Sequence, residues 1–446
     1  MFRIIKSRSS LDIGIGLEYY STSFNGVYGR LRLLPYDFVV EEEALDGTIA
    51  LQSMAHDTER PLNIDWGGSS FSVYVLEKCY RETLSTISLL RKIVKANVGF
   101  AGIKDKRALT SQFITIPSSA AINIGDLQGA GFSLRHVGFS RFQLKRGMLR
   151  GNWFTITVRD VDFDNLQELD RWLREALSSI TSSGLFGYYG YQRFGVSHPI
   201  THLIGKHIIR GEEEQAVDLI LKAFSEQDCI EANIIRQLIS ENNLSLALKL
   251  CPAGSYEHMI LSTILSKGDA RSALKMLRQS LKQLFIHGYQ AYIFNKALSR
   301  MIEERGSIYS IKPGDIVGML SSWGEATQLV KVTAANVDRL SKLIKERKAS
   351  LVMPLPGFSR LGGATSLVDV MKEEGVKHSD FRQAGTRGGI RQCVTFPHIG
   401  FFKAFKDQIS LTSLSYTLRF FLPKGFYATM LLRELIKPES PCKCGF

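Results

Sequence analysis

A change of periodicity along the chain constrains its fold most. From Gly29 the sequence GRLRLLPYDFVVEEE reads as strand, proline turn, strand, and FSVYVLEK from Phe71 reads as a further strand. A helical pattern follows over 83–95, then strand 109–116, two strand-like runs within 132–160 and an amphipathic helix over 164–180. From about Gly205 the pattern turns helical, over 212–225, 244–251, 256–266 and 270 to about 304. Short strands with turn signals come next (KPGD at 312–315, LPGF at 355–358), then a helical 366–374 and the Gly-rich TRGGIRQ. Residues 409–423 return to strand alternation, and KGFYATMLLRELI reads as a closing helix. Strand-rich ends around a helix-rich middle are what an insertion into one sheet domain produces. Residues 1–25 are weakly patterned and read as an arm or irregular lead-in.

The 446 residues suffice for two or three domains, and 44% apolar with 22% charged content supports a sizeable core. The 56 Lys and Arg against 43 Asp and Glu leave +13, which favours a polyanionic partner, nucleic acid before an anionic membrane surface. No apolar run is long enough to span a bilayer, and MFRIIKSRSS lacks a signal-peptide apolar region. A cytoplasmic protein is expected. Six cysteines in this length do not make a disulfide framework. Cys79, Cys229, Cys251 and Cys393 read as small buried hydrophobes, and the Cys442-x-Cys444 pair has no second pair at zinc spacing. Neither metal nor cofactor is expected, and a monomer is the default.

Three stretches carry chemistry. GFAGIKDKRALTSQ (99–112) sets Asp105 among Lys104, Lys106 and Arg107 on a loop with a glycine bend. Cations favour an ionised carboxylate and suit phosphates, so the loop reads either as a nucleotide site or as a charged turn. FGYYGYQRFG (186–195) offers stacking faces, close backbone approach, and donors at Gln192 and Arg193. It reads as an RNA-binding segment or as an aromatic loop packed into the core. RFQLKRGMLRGN (141–152) carries Arg141, Lys145, Arg146 and Arg150, fit for phosphates or for a solvated strand edge. HGYQAYIFNKAL (287–298) reads as a core helix.

AGIKDKRALTSQ, LRGNWF, YYGYQRFG and LPKGFYATMLLRE resemble the signature segments of the TruD family of tRNA pseudouridine synthases. PYDFVVEE and HGYQAYIFN resemble that family's N-terminal segment and its helix in an inserted domain, and the order is the family's over roughly 29 to 437. The resemblance implies an α/β (α+β) fold: a mixed-sheet pseudouridine synthase domain, discontinuous over 1–196 and 391–446. A helix-rich inserted domain would span 197–390, with 205–285 as a candidate subdomain and an RNA-binding cleft in a V-shaped molecule. It implies isomerisation of uridine to pseudouridine in tRNA, foremost at position 13, without a cofactor. Asp105 takes the catalytic place. Arg32, where the family usually has Lys, would pair with it, and Phe38 and Tyr189 would wall and stack on the base. Lys78, Lys104, Lys106, Arg107, Gln112, Lys145, Arg150, Asn152, Gln192 and Arg193 are assigned to the RNA. Gly187 stands where the family has an Asn that contacts the target. Ser140 and Gln143 replace a His and a Lys of the family pattern and receive no role.

Two other readings remain. A hydrolase of N-glycosidic bonds would usually need two carboxylates, and the central motif supplies one. A non-catalytic RNA-binding protein would not need Asp105.

Overall fold

A computed structural model describes residues 4–53, 62–121, 125–196, 198–225, 228–359, 365–410 and 413–446. Residues 1–3 of the lead-in and 411–412 of the last strand-like stretch lie outside them. The main sheet is mixed and takes strands from both ends of the chain. Its spatial order is His398–Lys406, Leu414–Pro423, Gly151–Val161, Phe38–Glu43, Leu109–Pro117, Phe71–Cys79, Phe132–Ser140, Ile64–Trp66. Neighbours run antiparallel, except that Phe38–Glu43 is parallel to Leu109–Pro117 and Ile64–Trp66 to Phe132–Ser140.

The first parallel pair positions the site. Its register sets Val39 opposite Leu109, so the segments that enter these strands, 32–37 and 101–108, lie at the same end of the sheet. The adjacent antiparallel strand sets Ile156 opposite Phe38 and Asn152 opposite Glu42.

Between the sheet halves, helices from Thr201–Arg210 to Ala270–Met276 pack on a cluster of their own that includes Val217, Ile220, Ile239, Ile260 and Leu274. Helix Gln279–Arg305 follows. Its Phe294, Leu298 and Met301 enter the large core that also holds Leu173 and Ile180 of helix Leu166–Ser183, Leu351, Leu418 and Leu431. A four-stranded antiparallel sheet, Ala326–Lys331, Ile316–Leu320, Ala349–Leu355 and Gly389–Gln392, packs on the same core.

Most periodic segments form close to where they are expected. The first strand read from Gly29, however, shrinks to a bridge between Arg30 and Arg159, because Arg32 is left-handed (φ 58). Extended backbone at Leu277 and Arg278 splits the 270–304 stretch into Ala270–Met276 and Gln279–Arg305. Helices Thr201–Arg210, Ile230–Ser240 and Val337–Lys345 lay beyond the sequence reading. Cys229 is exposed rather than buried.

The lead-in is not an irregular arm. Ile5–Lys6 pairs with Tyr19–Tyr20 around helix Ser10–Gly14, which Ser9 caps. Asp12 of that helix is fully buried and accepts from Ser7, Tyr191 and Arg433. Its partners lie far along the chain, so no local pattern announces the packing.

Candidate active site

The Asp105 loop leaves the short strand Gly99–Phe100 and returns into Leu109–Pro117. Gly99 is the glycine the geometry demands, since a Cβ there would lie 2.5 Å from Thr115 Oγ1. A Cβ on Gly102 would meet only ordinary contacts. The loop is fastened from beneath. Thr83 Oγ1 accepts from Lys104 N at 3.1 Å, Lys78 Nζ donates to Asp105 O at 2.7 Å, and Gln112 Nε2 donates to Gly102 O at 3.0 Å. Burial, together with the charge of Lys104, pulls Lys78 down to about 8, against the opposing pull of Asp105.

The cation at the Asp105 carboxylate comes from across the sheet end. Arg32 Nη2 lies 3.6 Å from Asp105 Oδ2, with the Arg32 side chain 3% exposed and that of Asp105 29% exposed. Arg32 holds a left-handed backbone (φ 58), unusual for a long side chain. Its guanidinium lies 4.2 Å from the centre of the Phe38 ring, and Nη1 donates to Gly445 O at 3.1 Å. The other carboxylate oxygen faces Gln192, whose amide, oriented to satisfy both neighbours, donates to Asp105 Oδ1 at 3.1 Å and accepts from Arg32 Nη2 at 3.3 Å. Arg32 and Gln192 thus fix the direction of the carboxylate, and Arg32 opposes its charge.

Asp105 opens on a cavity of about 410 Å³, within the range that takes small ligands. Phe38 and Phe154 line one side, and Phe426 and Tyr427 another; Asn152, Gln192 and Arg193 add polar groups. Phe154, Phe426 and Tyr427 were not singled out from the sequence, although LRGNWF and LPKGFYATM contain them.

The remaining predicted residues divide by burial. Lys106, Arg107 and Lys145 are exposed and able to meet phosphate. Lys78 and Gln112 are buried beneath the loop, and Lys104, also buried, lines the cavity from within the loop. Lys104 Nζ pairs with Glu42 Oε2 at 2.7 Å and meets Asn152 Oδ1. Arg150 pairs with Glu43 at 3.2 Å, donates to Leu45 O and lies 5.0 Å from the Trp323 ring, so it ties the main sheet to the turn that carries Trp323. Tyr189 does not line the Asp105 cavity; Arg391 lies 3.9 Å from its ring centre, and the ring faces a neighbouring cavity. Gly187 is buried with both backbone groups engaged, its N donating to Cys393 O at 2.7 Å and its O accepting from Arg391 Nε at 2.6 Å. It offers no group to the cavity.

The model of the family tRNA pseudouridine synthase D (TruD) matches residues 14–435. The chain belongs to the TruD family. It is 32% identical to "Probable tRNA pseudouridine synthase D" of Methanosarcina acetivorans, over 95% of this chain and 96% of the relative. It is 32% identical to the protein of the same name from Thermococcus onnurineus, over 94% and 97%. A crystal structure from Methanosarcina mazei, described as that of a candidate tRNA pseudouridine synthase D, superposes with a TM-score of 0.74 at 28% identity, over 96% of this chain and 98% of that one. The mixed-sheet architecture expected from the resemblance is the TruD fold. Five of the segments that carried it, 35–42, 101–112, 149–154, 188–195 and 422–434, meet around the cavity through Phe38, Asp105, Asn152, Gln192 and Tyr427.

Among the described residues, no group of three or more His, Cys, Asp or Glu side chains is placed to hold a metal ion. No helix there is long and apolar enough to cross a membrane.

Proposed function

We propose that this protein isomerises uridine to pseudouridine in tRNA, foremost at position 13, with Asp105 as the catalytic residue. The observation that carries the reading is the Asp105 carboxylate, held by Arg32 and Gln192 at the wall of an aromatic-lined cavity of about 410 Å³.

The reaction is balanced in itself. The N1–C1′ bond breaks, a C5–C1′ bond forms, C5 loses a proton and N1 gains one, so substrate and product are isomers. The target nucleotide must first leave its stack, at a cost of roughly a few kcal/mol. Stacking on Phe426 or Tyr427, the half-buried aromatics of the cavity, offsets that cost, since base–aromatic stacking is worth about 1–3 kcal/mol. Asp105 then engages the sugar or the base, and the aromatic walls retain the uracil while it turns. Nucleophilic carboxylates are an established covalent strategy. The +13 charge supplies salt-dependent affinity for the tRNA body, with Lys106, Arg107 and Lys145 as exposed contributors near the loop.

The test is pseudouridine-specific mapping of transcribed tRNA after incubation with wild type or Asp105→Asn. The expected result is new pseudouridine at position 13 with wild type alone, while the variant still binds the RNA. Bound but unmodified tRNA with wild type would sink the reading. Equal modification by the variant would remove Asp105 from its role.

A further inference from the structure

A second cavity, of about 320 Å³, adjoins the first, and Arg193 lines both. One wall is the Gly-rich stretch that begins at Thr386; the other is helix Gln279–Arg305 through Gln283 and His287. Leu284 of the same helix face lines the Asp105 cavity, so this helix forms the ridge between the two. Tyr189 presents its ring here, backed by Arg391 and edge-on to Phe294 at 5.7 Å.

The charge of this cavity has one sign. Among the described residues, Arg193 and Arg387 line it and no carboxylate does. Arg387 is exposed, yet the turn that carries it is held. Phe358 N donates to Thr386 O at 3.1 Å, Ser359 N to Arg387 O at 3.0 Å, and a Cβ on Gly357 would lie 2.3 Å from Gly388 N. Gly388 itself is left-handed (φ 87). A guanidinium on a fixed turn suits phosphate, an aromatic ring suits a base face, and Gln283, His287 and Thr386 offer groups for a base edge.

We propose that this cavity holds the nucleotide next to the target uridine on the same RNA strand, its phosphate between Arg193 and Arg387 and its base against Tyr189. The inference rests on the synthase reading above. It gives Tyr189 a base to stack on, but the neighbour's base, and it makes the nucleotide beside the target a determinant of substrate choice.

The test uses the tRNA transcript that wild type modifies, rebuilt with a single uncharged methylphosphonate linkage on the 5′ or the 3′ side of the modified uridine. Binding of full-length wild type and Arg387→Gln is measured with each RNA. For one of the two linkages, neutralising the phosphate is expected to weaken wild-type binding by about tenfold, as loss of a charge-assisted contact does. Arg387→Gln should weaken binding of the ordinary transcript by a similar factor, and the two changes together should do no more than either alone. Losses that multiply at both linkages, or binding by Arg387→Gln equal to wild type, overturn the inference alone. Absence of pseudouridine from the ordinary transcript with wild type overturns the synthase reading, and this inference with it.

Discussion

Arg433 donates to Oδ2 of Asp12 from both Nε and Nη2, at 2.8 and 2.6 Å, across 421 positions of sequence. The two side chains are 1% and 0% exposed. Ser7 and Tyr191 complete the carboxylate, and Leu17 O and Tyr19 O complete the guanidinium. The pair fastens the lead-in to the closing helix Ala428–Ile436, whose first residues line the Asp105 cavity.

Removing one partner strands the other. Asp12→Ala is expected to lower stability by about 3–5 kcal/mol, read as a reduced denaturant midpoint at unchanged slope. The double variant Asp12→Ala with Arg433→Met should recover part of that loss, because no charge is then left buried and alone. A double variant less stable than the single would contradict this account.

Arg32 should matter for turnover more than for binding. It faces Asp105 from a buried position and contacts Phe38, so Arg32→Gln is expected to lower kcat by about 10²–10³, the range for losing one preorganised charged group, with a smaller change in KM. Arg32→Lys restores the residue usual in the family and the charge, but it loses the second nitrogen that holds Gly445 O. Intermediate activity is expected, measured by single-turnover pseudouridine formation. Wild-type kcat in Arg32→Gln would remove Arg32 from the mechanism.

Lys78 gives a pH signature. Burial lowers it from the ordinary 10.5 to about 8. Below pH 8 both states hold the proton, and the cost of the buried charge is fully present. Between about 8 and 10.5 the native state sheds the proton while the unfolded chain keeps it, so this group raises stability with pH. Half-buried tyrosines such as Tyr309, pushed up to about 12 by desolvation, work in the opposite direction above pH 10. The informative quantity is therefore the difference between wild type and Lys78→Met. Wild type should gain on the variant from pH 8 to 10 in denaturation midpoints. Parallel curves would show that Lys78 does not titrate there.

Gly187 departs from the family Asn for a reason visible in packing. A Cβ at this position would lie 2.2 Å from Gln392 O. Gly187→Asn is expected to cost about 1–3 kcal/mol by overpacking and to bring no gain in activity. Thermal unfolding and turnover, measured side by side, check both halves. A stable and faster variant would mean that the backbone here yields and that the Asn contact is missing from the native protein.

The sequence alone determined the periodic elements and the motif loops. Alternation in FSVYVLEK and the Leu169, Leu173, Leu177 stripe depend on neighbours a few residues away, and both elements form as read. The Asp105 loop was equally legible, because a carboxylate among cations and glycines is a local pattern. The tertiary structure decided which charge meets which. Lys104 read as a phosphate contact and pairs instead with Glu42; Arg150 read the same way and pairs with Glu43; Tyr189 turned out to face a different cavity from Asp105. Glu41 and Glu42 of VVEEE are likewise buried, against Arg419 and Lys104. A buried charge is tolerated only where a partner arrives, and that partner is brought by strand order and register. Arg32 reaches Asp105 because two parallel strands start side by side, a relation that residue spacing along the chain does not encode.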